Sequence, residues 1–272
     1  MDNRRRIGTT RETTAHDAPE HPLGPVARAI VTRRTRYAAG HHVRPHWHAR
    51  AQFIFAVAGT MTVRAQRRVG IVPPSRALWV PARTVHEIEM SGVVEMRSLY
   101  IEDGAAGLPS TCVVLAVTPL LRELVVRAAA LPPDYDEESD DGLLMRLLLA
   151  EIRRLPRCAL ELPLPSSPDL AGLCERILAD LSTRRPCNVD ARDANTSART
   201  LYRRFLRETG ISFARWKQQA RLLESIRRLA AGTPVTHVAL DLGYESPSAF
   251  STMFRRALHI NPRDFMRNGV SS

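Results

Sequence analysis

Cysteine is scarce in this chain: Cys112, Cys158, Cys174 and Cys187 are spread over 272 residues with no CxxC spacing. That excludes a disulfide framework and a paired-thiolate zinc site, and the four read as reduced, structural thiols of a cytosolic protein. No apolar run approaches the ~20 residues that a membrane-spanning helix needs. Arg4-Arg5-Arg6 near the N-terminus is not followed by the apolar stretch of a secretory signal. A cytoplasmic chain without a membrane partner is therefore expected. Lysine is almost missing, since nearly every basic residue is arginine. Apolar residues make up 44%, enough for packed cores, and the length suits two domains rather than one.

The charge has a direction. The formal net charge is +11, and residues 168–272 carry 17 basic against 10 acidic side chains. A positive field concentrated in one third of a chain is the electrostatic footprint of a nucleic-acid partner.

In that third the local signals read twice as helix, tight turn, helix. Thr233 is an N-cap signal with Pro234 at the first helical position, and Val235, Val238, Ala239 and Leu242 form one apolar stripe. Gly243 can take the left-handed conformation that stops a helix. Ser246-Pro247 then opens a second helix, with Ala249, Phe250, Met253, Phe254 and Ala257 facing inward. Its outer face presents Ser248, Ser251, Thr252 and Arg255, with Pro247 at the entry and Arg256 nearer the backbone. Small hydroxyls followed by arginine at the start of a second helix suit base edges and phosphates in a major groove. An ordinary helical hairpin with a solvated polar face is the alternative for this segment alone.

The run Gly-Tyr-Glu-Ser-Pro-Ser-Ala-Phe-Ser-Thr-Met-Phe-Arg-Arg-Ala from Gly243 to Ala257, followed by Asn261-Pro262, resembles the signature of the AraC/XylS family of bacterial transcription regulators. Arg199-Thr200-Leu201-Tyr202-Arg203-Arg204-Phe205, Glu208-Thr209-Gly210, Ser212-Phe213 and Trp216 resemble the family's first recognition helix and the start of its linker helix. The similarity runs from about Asp169 to Phe265. It implies two helix-turn-helix units that contact adjacent major grooves of one double-stranded promoter site, and RNA polymerase as a further partner for an activator. Independently, Phe213, Trp216, Ala220, Leu223, Ile226 and Ala230 keep a helical period between a cap at Ser212 and a stop at Gly232. Nineteen residues at ~1.5 Å each span about 28 Å, close to the ~34 Å repeat of duplex DNA.

The first unit departs from the family pattern. Its supporting segment, Asn188 to Thr196, is shorter than usual, holds three charges and offers no Leu/Ala pair to pack on Leu201 and Phe205. A short or distorted helix is expected there. Asn195 can make the left-handed turn and Ser197 can cap the next helix. Ser197, Ala198, Arg199, Tyr202 and Arg203 are the candidate DNA contacts of this unit, with a scaffold that only grips phosphate as the alternative.

Residues 1–24 read as a polar, flexible arm. From Ala27 to Glu102 the pattern is short apolar runs: Ala29–Thr35, Gln52–Ala58, Met61–Ala65, Val69–Val72, Ala77–Val80, Val85–Met90 and Val94–Ile101. This is the spacing of a β-barrel or jelly roll over 25–110, with Gly59-Thr60 as a hairpin signal. The chain as a whole is expected to be α+β: a barrel followed by an all-α domain at 168–268.

Gly40, His46-Trp47-His48, Gln52 and Gly59 resemble the first motif of the cupin superfamily, with glutamine in the usual glutamate position. Pro81-Ala82-Arg83-Thr84-Val85-His86 resembles the second, with arginine for its glycine. Cupin barrels serve as sensor domains in the AraC/XylS family, so the resemblance implies a small-molecule effector. Alternation along strands lets His46 and His48 face one way, and a neighbouring strand can bring His86 to them. Three imidazoles and an amide can hold a divalent ion such as zinc, nickel or iron(II); a pocket where these side chains only hydrogen bond is the other reading. His41 and His42 are expected in a surface loop. A metal-dependent cupin oxygenase or isomerase with an appended helical domain is the competing function. Gln52 weakens it by removing the carboxylate that non-haem iron chemistry wants, so no catalytic residues are assigned.

Between the two halves, at 111–160, helices are expected at Pro119–Ala130 and Gly142–Leu155. The second is apolar nearly all round, which leaves two fates for its outer face: cover from within the chain, or pairing with a second copy as a homodimer. Pro163, Pro165, Ser166, Ser167 and Pro168 read as an extended linker.

Overall fold

The structure is a computed structural model, and it describes residues 19–20, 28–102, 109–158, 160–182, 187–193 and 196–270. The expected arm at 1–24, apart from residues 19–20, and the turn at Asn195 lie outside the described residues. Two compact units emerge, one built mainly from residues up to 161 and the other from 162–268.

The first unit is built on one bent antiparallel sheet. Its strands are β1 (Ile30–Tyr37), β2 (His42–His46), β3 (Ala51–Ala65), β4 (Arg68–Val72), β5 (Arg76–Val80), β6 (His86–Ile101), β7 (Val113–Ala116) and β8 (Arg157–Cys158). The main path runs β1-β6-β3-β5-β7-β8, with β2 added to β6 and β4 to β3. Two long strands, β3 and β6, are therefore the spine. Seven expected runs become fewer strands because β3 and β6 each absorb two of them.

Gly59 is the reason in β3. No hairpin forms at Gly59-Thr60; the strand continues, and its register against β6 shifts between Ala56 and Ala58 and again between Ala58 and Thr60. Gly59 sits at φ +78°, and a Cβ there would lie 2.2 Å from the Val93 carbonyl oxygen. Only glycine allows this bulge, which bends the strand without ending it. Gly92, at φ +80°, makes the matching bend in β6.

Alternation then divides the sheet into two faces. Phe53, Phe55, Trp79, Leu99 and Ile101 pack outward against α1 (Pro119–Ala128) and α2 (Asp140–Arg154), through Leu121, Val125, Met145, Leu148 and Ile152. Helix α2 starts two residues before Gly142. Ser139 caps it by accepting from Asp141 N, and Asp140 and Asp141 place negative charge in the first turn, where the helix dipole favours it. Leu143 (59% exposed) and Leu147 (45%) stay on its solvent side, as does Leu120 of α1 (54%).

β9 (Glu161–Pro163) leads into the second unit, which is all helical: α3 (Pro168–Ala179), α4 (Cys187–Asp193), α5 (Ala198–Thr209), α6 (Phe213–Ala230), α7 (Val235–Asp241), α8 (Pro247–Leu258) and α9 (Pro262–Val270). Helix α6 packs into the core through Phe213, Trp216, Ala220, Leu223, Ile226 and Leu229. Phe205 meets Phe213 and Trp216 at ring separations of 4.9 and 5.7 Å. The expected linker is not free: Ser166 and Ser167 are fastened to α5. Both backbone N–H groups donate to Glu208 Oε2 at 2.9 Å, and both hydroxyls donate to the same carboxylate. Arg204 adds a bidentate pair with Asp169 at 2.7 and 2.8 Å.

Candidate functional site

In the barrel, His46 ends β2 and pairs directly with His86, the first residue of β6. His48 lies two residues beyond the end of β2. The three rings converge, with centroid separations of 5.0 Å (His46–His48), 4.3 Å (His46–His86) and 5.5 Å (His48–His86). One nitrogen from each lies within 4.8 Å of the others, and all three residues are buried. Nδ1 of His46 is 2.7 Å from Arg44 O, and Nδ1 of His86 is 2.9 Å from Thr84 O. A carbonyl oxygen can only accept, so both Nδ1 atoms are protonated, and in the neutral ring Nε2 keeps its lone pair.

Gln52 stands opposite Tyr100 on β6 and Val80 on β5. Its amide nitrogen donates to Ser98 Oγ at 3.0 Å and Tyr100 Oη at 3.3 Å. Its buried Oε1 accepts no hydrogen bond among the described residues. Tyr100 also packs edge-on to His48, at 4.8 Å between centroids, and so joins Gln52 to the histidines. Burial raises the Tyr100 pKa against the opposing field of Arg33, so the phenol stays protonated. Tyr100, Ser98 and Arg33 were missed in the sequence, although Ser98 and Tyr100 alternate on one strand and Arg33 faces Ser98 across the β1–β6 ladder.

His42 is not in a loop. It opens β2 and lies 2.9 Å from Glu87, which also faces Arg64 at 3.8 Å. His41 is exposed between strands and stacks on Tyr37 at 4.9 Å.

The helical unit presents two helix-turn-helix faces. In the second, α7 begins at Val235 with Pro234 as its N-cap, one residue later than the Thr233 cap signal suggests. Thr233 N instead bonds to Arg228 O at 3.0 Å while Gly232 N bonds to Leu229 O, which closes α6. The same double closure follows α7: Gly243, at φ +73°, donates to Leu240 O and Tyr244 N donates to Ala239 O, both at 2.9 Å. Ser246 then caps α8 by accepting from Ala249 N at 3.1 Å.

The inner face of α8 is Phe250, Phe254 and Leu258, with Met253 half-buried beside them; Ala249 and Ala257, expected there, are exposed. Ser248, Thr252, Arg255 and Arg256 are exposed, while Pro247 and Ser251 are half-buried. The Ser251 hydroxyl donates to Pro247 O at 2.8 Å, which leaves it only acceptor capacity toward any other group. A recess of about 520 Å³ is formed by Ser248, Thr252 and Arg255 with Thr236, Asn261 and Arg263.

In the first unit, α4 spans only seven residues and Thr196 N closes it on Ala191 O at 3.0 Å. Ser197 caps α5 by accepting from Thr200 N at 3.2 Å. Arg199, Tyr202 and Arg203 are exposed along α5, as Ser197 is at its start; Ala198 is half-buried. Charge assists the support of the second reader. Glu224 of α6 holds Arg227 and Arg228, and Arg228 reaches Asp241 of α7 at 3.0 Å.

Two turn-and-helix faces joined by one rigid helix define a DNA-binding domain, and with an antiparallel barrel enclosing a polar site they define a two-domain regulator. Residues 29–152 match the AraC-like ligand binding domain, and residues 191–268 match a helix-turn-helix domain. The chain is 32% identical over 222 residues, 80% of each sequence, to the HTH-type transcriptional regulator NimR of Escherichia coli K12. It is 33% identical over 75 residues, 27% of each sequence, to the transcriptional activator RhaS of Escherichia coli O139:H28. Among solved structures, ToxT from Vibrio cholerae covers 90% of this chain and is itself covered completely, at 10% identity and a TM-score of 0.39. The chain belongs to the AraC/XylS family of transcription regulators. It combines an N-terminal ligand-binding domain with a C-terminal DNA-binding domain.

Proposed function

We propose that this regulator reads two adjacent major grooves of promoter DNA and that an effector bound among His46, His48, Gln52 and His86 controls the reading. The observation that carries the DNA half is the chain order: α5 leads into one end of α6, and α7, packed on both α6 and α8, follows its other end, with the 18 residues of α6 spanning about 27 Å. That is close to the ~34 Å between successive grooves on one side of a duplex. Arg199, Tyr202 and Arg203 on α5, behind Ser197 and Ala198, serve one groove. Ser248, Ser251, Thr252 and Arg255 on α8, entered at Pro247, serve the other, with Arg256 on the phosphates.

In the barrel, the His46, His48 and His86 imidazoles with the Gln52 amide fit a divalent ion such as zinc, nickel or iron(II). The fit rests on the convergent nitrogens, the carbonyl bonds behind two of the rings and the open Gln52 Oε1. Such an ion would supply a Lewis-acid anchor for the effector. The chain's work is binding rather than turnover; metal-dependent catalysis by the intact protein would favour the enzyme reading instead. Leu120, Leu143 and Leu147 suit a second copy of the chain, making the working unit a homodimer in the cytoplasm, with RNA polymerase as partner where it activates.

A footprint of the full-length protein on the intergenic DNA beside its own gene, at fixed salt, tests the bipartite reading. Protection one turn apart, with one half lost in Arg203→Ala, supports it. Single-groove protection indifferent to that change would leave α8 as the sole reader.

A further inference from the structure

None of the donors gathered in the barrel brings a negative charge. Nδ1 of His46 and of His86 faces Arg44 O and Thr84 O, so each ring, in the neutral form that a metal ligand takes, turns a lone pair toward the other rings. Gln52 places an amide where a carboxylate would compensate a cation. Among the described residues, no carboxylate or thiolate joins the three-histidine cluster. Glu87, the next residue along β6, faces the other way by strand alternation and is engaged by His42 and Arg64. Nearby, the Tyr100 hydroxyl accepts from the Gln52 amide at 3.3 Å, and Arg33 faces Ser98 across the β1–β6 ladder.

A divalent ion on these residues would keep its full double charge in a site whose histidines and glutamine are all buried. An uncompensated buried charge is costly, so the site favours a ligand that brings the missing sign. We infer that the effector of this barrel is an anion: a small organic acid whose carboxylate, or an equivalent deprotonated oxygen, completes the coordination that Gln52 leaves uncharged. Arg33 and the Tyr100 hydroxyl are placed to hold the same molecule by charge and hydrogen bond. This rests on the metal reading proposed above and gives it a ligand class.

The test uses the full-length protein loaded with Co(II), whose visible bands report the coordination shell, and titrated with azide, acetate and neutral acetamide. Wild-type bands should shift saturably with azide and acetate and not with acetamide. In Gln52→Glu, Co(II) should resist a chelator longer, while azide affinity falls at least about tenfold as the new carboxylate takes the anion's place. Equal azide affinity in both proteins, or a wild-type response to acetamide as strong as to acetate, overturns the anion inference while Co(II) binding stands. Failure of the wild type to take up Co(II) overturns the metal reading and this inference with it. Should Gln52→Glu not fold, the acetate and acetamide titrations of the wild type decide alone.

Discussion

Lys217 Nζ lies 2.7 Å from Asp190 Oδ2, and the aspartate is completely buried. Lys217 is the single lysine of the sequence. It reaches from α6 across the Phe213 ring, 5.1 Å from its centroid, to the short helix α4. One of the charges that made this helix look poorly suited to packing is thus what fastens it. Ala191 adds the small apolar contact beside them.

Removing one partner leaves the other charge buried. Lys217→Met should destabilise the helical domain by about 3–5 kcal/mol, and the pair Asp190→Leu with Lys217→Met should recover most of that loss. Urea unfolding of the three proteins, followed by tryptophan fluorescence at Trp216, measures it. A double variant as unstable as the single one would mean that the pair does more than neutralise itself.

Glu208 holds Ser166 and Ser167 against α5, and its titration should be visible in stability. Burial pushes this carboxyl up, but the hydrogen bonds from Ser167 and Ser166 outweigh it and hold its pKa below the ordinary 4.5. Asp169 is held low as well, chiefly by its hydrogen bond from Arg204. A lowered folded pKa gives stability that is complete above the unfolded value and is lost as pH falls through the folded one. Glu208→Gln should therefore cost about 1–2 kcal/mol at pH 7. The gap to the wild type should narrow as pH falls below about 4. A constant gap from pH 7 to pH 3 would contradict a role for the charged carboxylate.

What the sequence revealed and what it hid follow one physical line. Turn and cap chemistry is local, so Gly243, Ser246, Ser197, Ser212 and Gly232 could be placed from neighbouring residues alone. The HxH spacing and His86 were readable because motif spacing and order are also short-range, although His48 falls beyond the end of the strand on which alternation had placed it. Bulges were not: Gly59 looks like a hairpin glycine until the Val93 carbonyl is known to lie against it. Ser98 and Tyr100 became site residues only through the register of β6 against β3. The Lys217–Asp190 pair joins residues 27 positions apart, and nothing in either local pattern announces it.

The exposed leucines give the homodimer its test. Leu148 is fully buried against the sheet, so a charge there would break the core rather than an interface. Leu143 and Leu147 stand on the solvent side of the same helix. Leu143→Glu with Leu147→Glu should leave the fold intact and yield a monomer in sedimentation where the parent sediments as a dimer. An unchanged dimer would place the interface elsewhere.

Arg255 and Arg256 are adjacent, both exposed, and expected to fail differently. Arg255 shares the α8 face with Ser248 and Thr252 and borders the recess there, which Arg256 does not. Arg255→Ala should cost about 1–3 kcal/mol on the preferred site and relax discrimination at one base position. Arg256→Ala should weaken all sequences alike and lower the salt dependence by about one counterion. Competition binding with single-base operator variants, repeated at three salt concentrations, separates the two. Uniform weakening by both would assign both arginines to phosphate and leave Ser248 and Thr252 as the groove-facing side chains of α8. Loss of discrimination in Arg256→Ala alone would instead mean that α8 enters the groove rotated by about 100°, one residue step around the helix, from the face described here.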